Sequence, residues 1–349
     1  MTQLPLFNND PVHNLMLMGY SEREAAFLRL AGLHSGFFLR RQYCQFTGIR
    51  GGRVDTELVE KLLTKDHATA VAGCHKTVIY HLGARPFYAA LTAGDNRNRR
   101  IRPAVSIKNR LMGLDYVLDH PGPRYLATEQ EKISYFTRSL GIAPTDLPSK
   151  SFRSPGADNS TTRFFVDKHP IFLREEDASS SVVGFCFVDE GLATCSRFEA
   201  YLHQYRGLFS QLASFEVIYV AASRNLFWEA ENLFKAFARG VRRDNRASLA
   251  VDDLARLLGH FEDRERSESG LWDSFDRAKL IRLREEREEF SGSFFDSLYN
   301  RWKAGNKDAV LVAAKEKTSC AEPLKGTFSA HVLRHNYDVF GSAPEAPND

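Results

Sequence analysis

The sequence lacks the cysteine, apolar and signal patterns of several protein classes. Its five cysteines, at positions 44, 74, 186, 195 and 320, include no Cys-x-x-Cys pair. An odd and scattered set of this kind predicts a reducing compartment and offers no zinc knuckle. No run of about eighteen apolar residues occurs, so we expect no membrane-spanning helix. The opening MTQLPLFNND has neither a basic nor an apolar region, so we expect no secretory signal.

The common motifs of catalysis and cofactor binding are also absent. The sequence contains no GxxxxGK[ST] phosphate loop, no GxGxxG, no GxSxG and no HExxH. Its histidines are too dispersed to predict a zinc site. We therefore expect no bound cofactor and no metal ion.

The composition is that of an ordinary globular protein with an uneven charge distribution. Apolar residues make up 43% and charged residues 26% of the 349 positions, a length that predicts two or three domains. The net charge is only +3, but residues 1–125 carry 17 Lys and Arg against 10 Asp and Glu. Residues 126–349 carry 30 against 34. If the protein has an anionic partner, we expect that partner to meet the N-terminal third.

The N-terminal third reads as three helices followed by a hairpin. Ser21 and Glu24 form a capping box at the start of the first helix. The remaining elements are predicted in chain order as helices at Leu39–Phe46 and Val54–Leu63 and strands at Thr69–Ala72 and Thr77–Leu82. This order is typical of a winged helix-turn-helix.

A polar stretch divides the chain, and the pattern after it changes to mixed α/β. Leu147–Thr162 is rich in Ser, Pro and Gly and is predicted to be a linker or long loop. Val182–Val188 and Phe215–Ala222 are continuous apolar runs, which is typical of buried strands. The fold class is therefore α+β. We predict a winged helix-turn-helix domain with a helical extension (1–146), a linker (147–161), an α/β domain with a helical C-terminal part (162–340) and a disordered tail (341–349).

Basic residues surround the predicted helix-turn-helix. Arg40 and Arg41 open the second helix, Arg50 and Arg53 flank the start of the third, and Lys76 lies at the predicted wing tip. The first turn of such a recognition helix faces the major groove, and its backbone N–H groups favour phosphate. The outer face of this helix also carries carboxylates, which argues against strong reading of bases; they are Asp55, Glu57 and Glu60.

A second basic feature follows the hairpin. The segment NRNRRIR places four arginines within six residues, at Arg97, Arg99, Arg100 and Arg102. We predict that it is a flexible loop that neutralises DNA phosphates without reading sequence. A solvated loop or a subunit contact is the alternative.

Adjacent carboxylates at the end of a predicted strand raise the question of catalysis. Asp189 and Glu190 follow VVGFCFV, and Glu175 lies upstream. Paired carboxylates can hold Mg²⁺, but a metal-dependent nuclease also needs a nearby lysine, and none follows Glu190 at short range. A Mg²⁺-dependent nuclease is therefore the enzymatic alternative. The structural alternative is that these carboxylates belong to a solvated turn between the strand and the following helix.

Several of these segments resemble one protein family. Val78–Leu91 (VIYHLGARPFYAAL), after a helix-turn-helix, resembles the wing and following helix of the replication-relaxation-like proteins of bacterial mobile genetic elements. Phe187–Leu208 and Val217–Arg224 resemble the second half of that family, which is similar to a degenerate PD-(D/E)xK nuclease fold. The basic position that the family has before Tyr205 is occupied here by Leu-His-Gln, which argues further against nuclease chemistry.

The resemblance implies a DNA-binding protein carried by a plasmid, an integrative element or a phage. We expect a non-enzymatic protein that binds double-stranded DNA as a homodimer in the cytoplasm, associated with the nucleoid. It would be a transcriptional regulator or an accessory factor of DNA processing with a mobile-element protein as a further partner. The non-enzymatic alternative is a protein-interaction module that uses the helix-turn-helix.

Overall fold

The computed structural model describes residues 9–74, 76–153, 160–177, 180–239, 251–271, 275–290, 293–303, 323–335 and 337. The chain is mixed α+β, as the sequence predicts. It divides into two compact units, one of residues 1–238 and 324–349 and one of residues 239–323. The predicted linker at 147–161 lies inside the first unit, and the predicted disordered tail lies outside the described residues.

The first unit begins with short helices and a small antiparallel sheet. In chain order the elements are α1 (Pro11–Leu17), α2 (Glu22–His34), β1 (Phe37–Leu39), α3 (Arg40–Thr47), α4 (Arg53–Thr64), β2 (Ala68–Ala72) and β3 (Val78–Leu82). The capping box of Ser21 and Glu24 is confirmed at the start of α2. Gly48 ends α3 with a φ of 68°, a left-handed conformation that glycine adopts without strain. The small sheet has the order β1-β3-β2.

One helix lies between this small sheet and the larger one. After α5 (Arg85–Ala90), α6 (Ala104–Asp119) packs Ile107 and Leu111 against β1 and β3. Its Met112 and Tyr116 pack against strands of the larger sheet. Because α6 is apolar on several sides, it is buried along most of its length.

The larger sheet has five strands in the order β10-β9-β8-β7-β4. Its strands are β4 (Arg124–Tyr125), β7 (Ile171–Asp177), β8 (Ser180–Asp189), β9 (Phe215–Ala221) and β10 (Gly326–Val332). β8, β9 and β10 are parallel, whereas β7 is antiparallel to both β8 and β4. The helices α7 (Glu129–Ser134), α8 (Ser196–Gln211) and α9 (Phe227–Ala238) also belong to this unit, and Thr128 with Glu131 forms a capping box at the start of α7.

Both faces of the central strand β8 are buried, which explains its continuous apolar run. Phe185 and Phe187 join the aromatic core formed with α8 and α9. Cys186 and Val188 point to the opposite core, which contains Tyr116 of α6. Since successive side chains of a strand alternate between faces, a strand covered on both sides needs apolar residues at every position.

Two secondary-structure predictions are wrong. The stretch predicted as a loop at Leu147–Thr162 contains most of a two-stranded sheet of β5 (Ser149–Arg153) and β6 (Ser160–Phe164). The C-terminal part is helical as predicted at 251–268, 277–289 and 293–303, but not at 326–332, where β10 forms from the sequence GTFSAHV, which carries no strong strand pattern. In each case the strand is stabilised by backbone pairing with a partner strand, and local propensity does not report such pairing.

The second unit is helical where it is described. It contains α10 (Val251–Glu268), α11 (Arg277–Glu289) and α12 (Ser293–Lys303). Its core is largely aromatic and consists of Leu257, Phe261, Phe290, Leu298, Tyr299 and Trp302. In the described parts of both units, no helix combines the length and apolar character needed to cross a membrane.

A glycine in β8 provides a test of the sheet register. A Cβ on Gly184 would lie 2.2 Å from Cζ of Phe172, its partner on β7. We expect Gly184→Ala to lower the free energy of unfolding by about 1–3 kcal/mol through overpacking. Urea denaturation measures the change, with Gly94→Ala as control because a Cβ there meets nothing within 4 Å. Equal stability of the two variants would contradict this register.

Candidate functional site

Arg40 fixes the start of α4 against α3. Its Nε donates to Oδ2 of Asp55 at 2.6 Å, and its Nη2 donates to the Thr56 hydroxyl at 2.6 Å. The other oxygen of Asp55 accepts the Gly52 N–H at 2.6 Å. Although burial raises the pKa of Asp55, these hydrogen bonds from Gly52 and Arg40 hold it below its ordinary value. Arg40 is therefore engaged within the protein.

Arg41 is engaged more completely. Its guanidinium donates two hydrogen bonds to Asp115 of α6, at 2.9 and 2.7 Å. The Asp115 side chain is 1% exposed and also accepts from Gln42 and Tyr337. A bidentate pair with a buried carboxylate is a structural contact. Arg40 and Arg41, predicted as DNA contacts, instead pair with carboxylates of their own chain.

Three of the predicted cations lie on the surface. Arg50 precedes α4 and is exposed. Arg53 opens α4 with a side chain that is 90% exposed, and its ion pair with Glu57 at 2.6 Å lies in water, where such a pair contributes little stability. Lys76 is exposed in the turn between β2 and β3, with a φ of 61°. These three cations are accessible to an anionic partner.

The segment Arg97–Arg102, called here the arginine segment, is anchored, so its prediction as a flexible loop is wrong. Arg97–Arg99 form a 3-10 turn capped by Asn96. The fully buried Asn98 donates to the carbonyls of Gly32 and Leu33 at 2.9 and 2.8 Å, at the end of α2. These contacts anchor the backbone of the segment at Asn98.

Arg110 of α6 completes the anchor. Its Nη1 donates to the Ser35 carbonyl at 2.7 Å and to the side-chain oxygen of Asn98. Arg110 is 8% exposed, and burial lowers its pKa to about 10. A cation at this place is favoured by the negative end of the α2 dipole.

The guanidinium of Arg97 lies over the ring of Phe152 on β5, 5.1 Å from its centroid, which brings the arginine segment close to β5 and to its partner strand β6, where Arg163 lies. The pKa of Arg97 is lowered by burial and by the positive charges of Arg163 and Arg100. Burial lowers the pKa of Lys168 to about 7, and the positive charges of Lys132, Arg110 and Arg97 act in the same direction. We call Arg97, Arg100, Arg102, Arg163 and Lys168 the basic cluster. Glu129 is the carboxylate that opposes these shifts, and it accepts the Phe164 N–H at 2.9 Å.

The structure does not bring all predicted cations together. The arginine segment lies at the base of the hairpin, where Asn98 O is 3.1 Å from Nε2 of His81. Lys76 lies at the opposite end of β3, whose five residues span roughly 16 Å at about 3.3 Å each. The accessible cations therefore fall into two groups, which we call the two cationic surfaces: Arg50, Arg53 and Lys76 on the helix-turn-helix elements, and the basic cluster at the base of the hairpin.

The carboxylates at the end of β8 are used within the fold. Asp189 Oδ1 accepts the N–H groups of Gly191 and Leu192 at 2.8 and 2.6 Å, and Oδ2 accepts the Tyr219 hydroxyl at 2.8 Å. Glu190 pairs with Arg197. The side chain of Glu175 lies outside the described residues. In the described part of the chain, no group of three His, Cys, Asp or Glu is placed to hold a metal ion.

Comparisons with protein-family models, curated proteins and solved structures give no match for this chain. The resemblance to replication-relaxation-like proteins therefore stays an expectation. The function has to be inferred from the site itself.

Sequence reasoning missed the residues that organise these surfaces. They are Asn98, Arg110, Asp115, Arg163 and Lys168. Two of them gave a local signal, because Arg110 and Asp115 place charges at buried positions of the apolar helix α6. For Arg163 and Lys168 the signal is three-dimensional, since the arginine segment lies more than sixty residues away in sequence.

The role of Asp189 can be tested by removing its carboxylate. Asp189→Ala leaves two backbone N–H groups and the Tyr219 hydroxyl without their acceptor, so we expect a loss of about 2–4 kcal/mol in the free energy of unfolding. The exposed Asp95→Ala serves as control and should change stability by less than about 0.5 kcal/mol. We expect added Mg²⁺ not to change the Tm of the unsubstituted protein. A rise in Tm on addition of Mg²⁺ that is lost in Asp189→Ala would contradict a purely structural role of Asp189.

Proposed function

We propose that this chain is a non-enzymatic protein that binds double-stranded DNA through an N-terminal winged helix-turn-helix. The order α2-β1-α3-α4-β2-β3 supports this proposal, together with a small sheet of order β1-β3-β2. In this interpretation α4 is the recognition helix and the β2–β3 turn is the wing. This element order is the observation on which the proposal chiefly depends.

The two cationic surfaces have different roles in the proposed complex. Arg50 and Arg53 would contact DNA at the start of α4, and Lys76 would contact the backbone from the wing. The basic cluster would bind phosphates beyond the base of the wing, where the anchored backbone of the arginine segment would reduce the entropy lost on binding. Such phosphate contacts position a protein on DNA and make its affinity depend steeply on salt.

An isoleucine in the arginine segment fits this interpretation. Ile101 is 87% exposed and lies between Arg100 and Arg102. Water contact at an apolar side chain of this size is unfavourable, and exposed apolar residues beside arginines are used in minor grooves. We infer that this tip contacts a minor groove next to the site of α4.

The α/β part supports assembly in this proposal. We infer that its five-stranded sheet is related to a degenerate PD-(D/E)xK fold. The hydrogen bonds of Asp189 and the ion pair of Glu190 support a structural use of the two carboxylates. A homodimer on a symmetric DNA site, in a protein of a bacterial mobile genetic element, is the setting that we propose.

A protein partner for the helix-turn-helix is the second candidate. Three apolar side chains on or beside α4 are exposed, namely Ile49 at 38%, Val54 at 41% and Leu63 at 37%. Apolar residues on a surface that also carries carboxylates are typical of contacts between proteins.

Salt-dependent DNA binding tests the main proposal. We expect the protein to bind a fluorescent random-sequence duplex at low salt, with an affinity that falls linearly on a log–log plot against salt. Arg100→Gln/Arg163→Gln removes two exposed cations of the basic cluster and should reduce the slope of that plot by about 2. Fluorescence anisotropy at several salt concentrations measures both quantities.

The exposed Arg224→Gln is the matched control, because it removes an arginine outside both surfaces. No binding at low salt would contradict DNA binding and favour the protein partner. An unchanged slope in the double variant would contradict the basic cluster as a DNA contact.

The pKa of Lys168 predicts a pH dependence of DNA binding. In the free protein Lys168 has a pKa of about 7, and nearby phosphates would raise that pKa, so binding above pH 7 takes up a proton. We expect the affinity for DNA to fall as the pH rises from about 7 to 9 and to be independent of this group at lower pH. Lys168→Arg should abolish the fall because arginine stays charged, whereas Lys65→Arg should preserve it. Identical pH profiles for all three proteins would exclude Lys168 from the contact.

A further inference from the structure

A cavity of about 560 Å³ lies in the first unit, beside the helices assigned to the helix-turn-helix. Its walls come from α2, the end of α3, the end of α6 and the segment through β4. The lining residues include Arg29, His34, Gln45, Leu118, Arg124 and Tyr125. Neither cationic surface uses these residues.

The charged side chains that line this cavity are all positive. Arg29 and Arg124 are exposed and line it, and no lining residue is acidic. In the described part of the chain, the guanidinium group of neither arginine forms a hydrogen bond or an ion pair. His34 adds no charge near neutral pH, because burial, and then the positive charges of Lys132, Arg29 and Lys168, lower its pKa to about 3. Two arginines without carboxylates favour an anionic group.

The walls between the arginines are apolar and incompletely covered. Leu30, Phe46, Leu118 and Tyr125 are only half-buried, although they lie in a concave part of the first unit. An apolar molecule in the cavity would remove this area from water, at roughly 25 cal/mol per Å². The cavity therefore fits a ligand with an apolar body.

Gln45 contributes an unpaired hydrogen-bond acceptor to the cavity. Its amide nitrogen donates to Asp119 Oδ1 at 2.8 Å, which leaves its Oε1 as an acceptor. This oxygen is buried and has no hydrogen-bond partner among the described residues. An unpaired buried acceptor costs free energy, and a donor group on a ligand would satisfy it.

We propose that this cavity is a binding site for a small organic anion with an apolar, ring-containing body and one hydrogen-bond donor. Arg29 and Arg124 bind its carboxylate, sulfonate or phosphate group, the leucine and aromatic walls bind its body, and Gln45 accepts from its donor. The volume lies within the roughly 300–1,000 Å³ typical of small-molecule sites. This site does not depend on the proposed DNA binding.

A pair of fluorescent probes tests the proposal without DNA. 8-Anilinonaphthalene-1-sulfonate carries two apolar ring systems, an N–H donor and a sulfonate. N-phenyl-1-naphthylamine has the same rings and donor but no charge. We expect the full-length protein to bind the sulfonate at a single site, and at least about tenfold more tightly than the neutral probe.

Two variants assign that binding to the cavity. Arg29→Gln/Arg124→Gln changes exposed side chains. It should lower the affinity for the sulfonate probe by about tenfold and leave the affinity for the neutral probe unchanged. Leu118→Trp places a larger side chain in the cavity and should lower the affinity for both probes. The control is Arg85→Gln/Arg224→Gln, which removes two exposed arginines that do not line the cavity and should change neither affinity.

Equal affinities for the two probes in the unchanged protein would overturn the assignment of an anionic ligand. A sulfonate affinity that is the same in Arg29→Gln/Arg124→Gln as in the control would overturn the roles of the two arginines. Probe binding that Leu118→Trp leaves intact would place the dye on another surface and overturn the site. None of these outcomes bears on the DNA measurements, so the two proposals fail independently.

Discussion

One buried carboxylate links the parts of the first unit. Asp115 of α6 is fully buried and accepts hydrogen bonds from Arg41 and Gln42 of α3 and from Tyr337, which follows β10. A charge removed from water is tolerated only when its partners replace the lost hydration, and here each oxygen has two of them. Because α6 also packs against both sheets, this carboxylate fixes α3, and through Arg40 the start of α4, relative to the larger sheet. The orientation of the proposed DNA-binding surface therefore depends on an interaction deep inside the molecule.

Much of the local structure could be predicted because its causes are local. The capping boxes at Ser21 and Thr128 need only four neighbouring residues, and the end of α3 needs only a glycine that adopts a positive φ. The two-sided burial of β8 could be read from its uninterrupted apolar run. Such features are determined by backbone hydrogen bonds and side-chain periodicity within a few residues.

The features that could not be predicted from the sequence depend on contacts between residues far apart in the chain. β10 pairs with β9 across more than a hundred residues, and Tyr337 meets Asp115 across 222. The candidate site shows the same division: the arginines of NRNRRIR could be named, but not that Asn98 anchors the segment or that the charges of Arg163 and Lys168 interact with that of Arg97. Arg40 and Arg41 show the opposite error, because a basic residue at a helix start gives no sign of whether it faces water or a carboxylate of its own chain.

The route of the chain between α9 and β10 has a consequence for the architecture. The N–H of Leu324 donates to the carbonyl of Ala238 at 2.8 Å, so the chain leaves the first unit and re-enters it at nearly the same point. Everything from 239 to 323 is thus an insertion whose two ends are already joined. The entropy of closing such a loop grows only with the logarithm of its length. Related chains could therefore have a longer, a shorter or a wholly different inserted segment here, while β9 and β10 keep the same pairing.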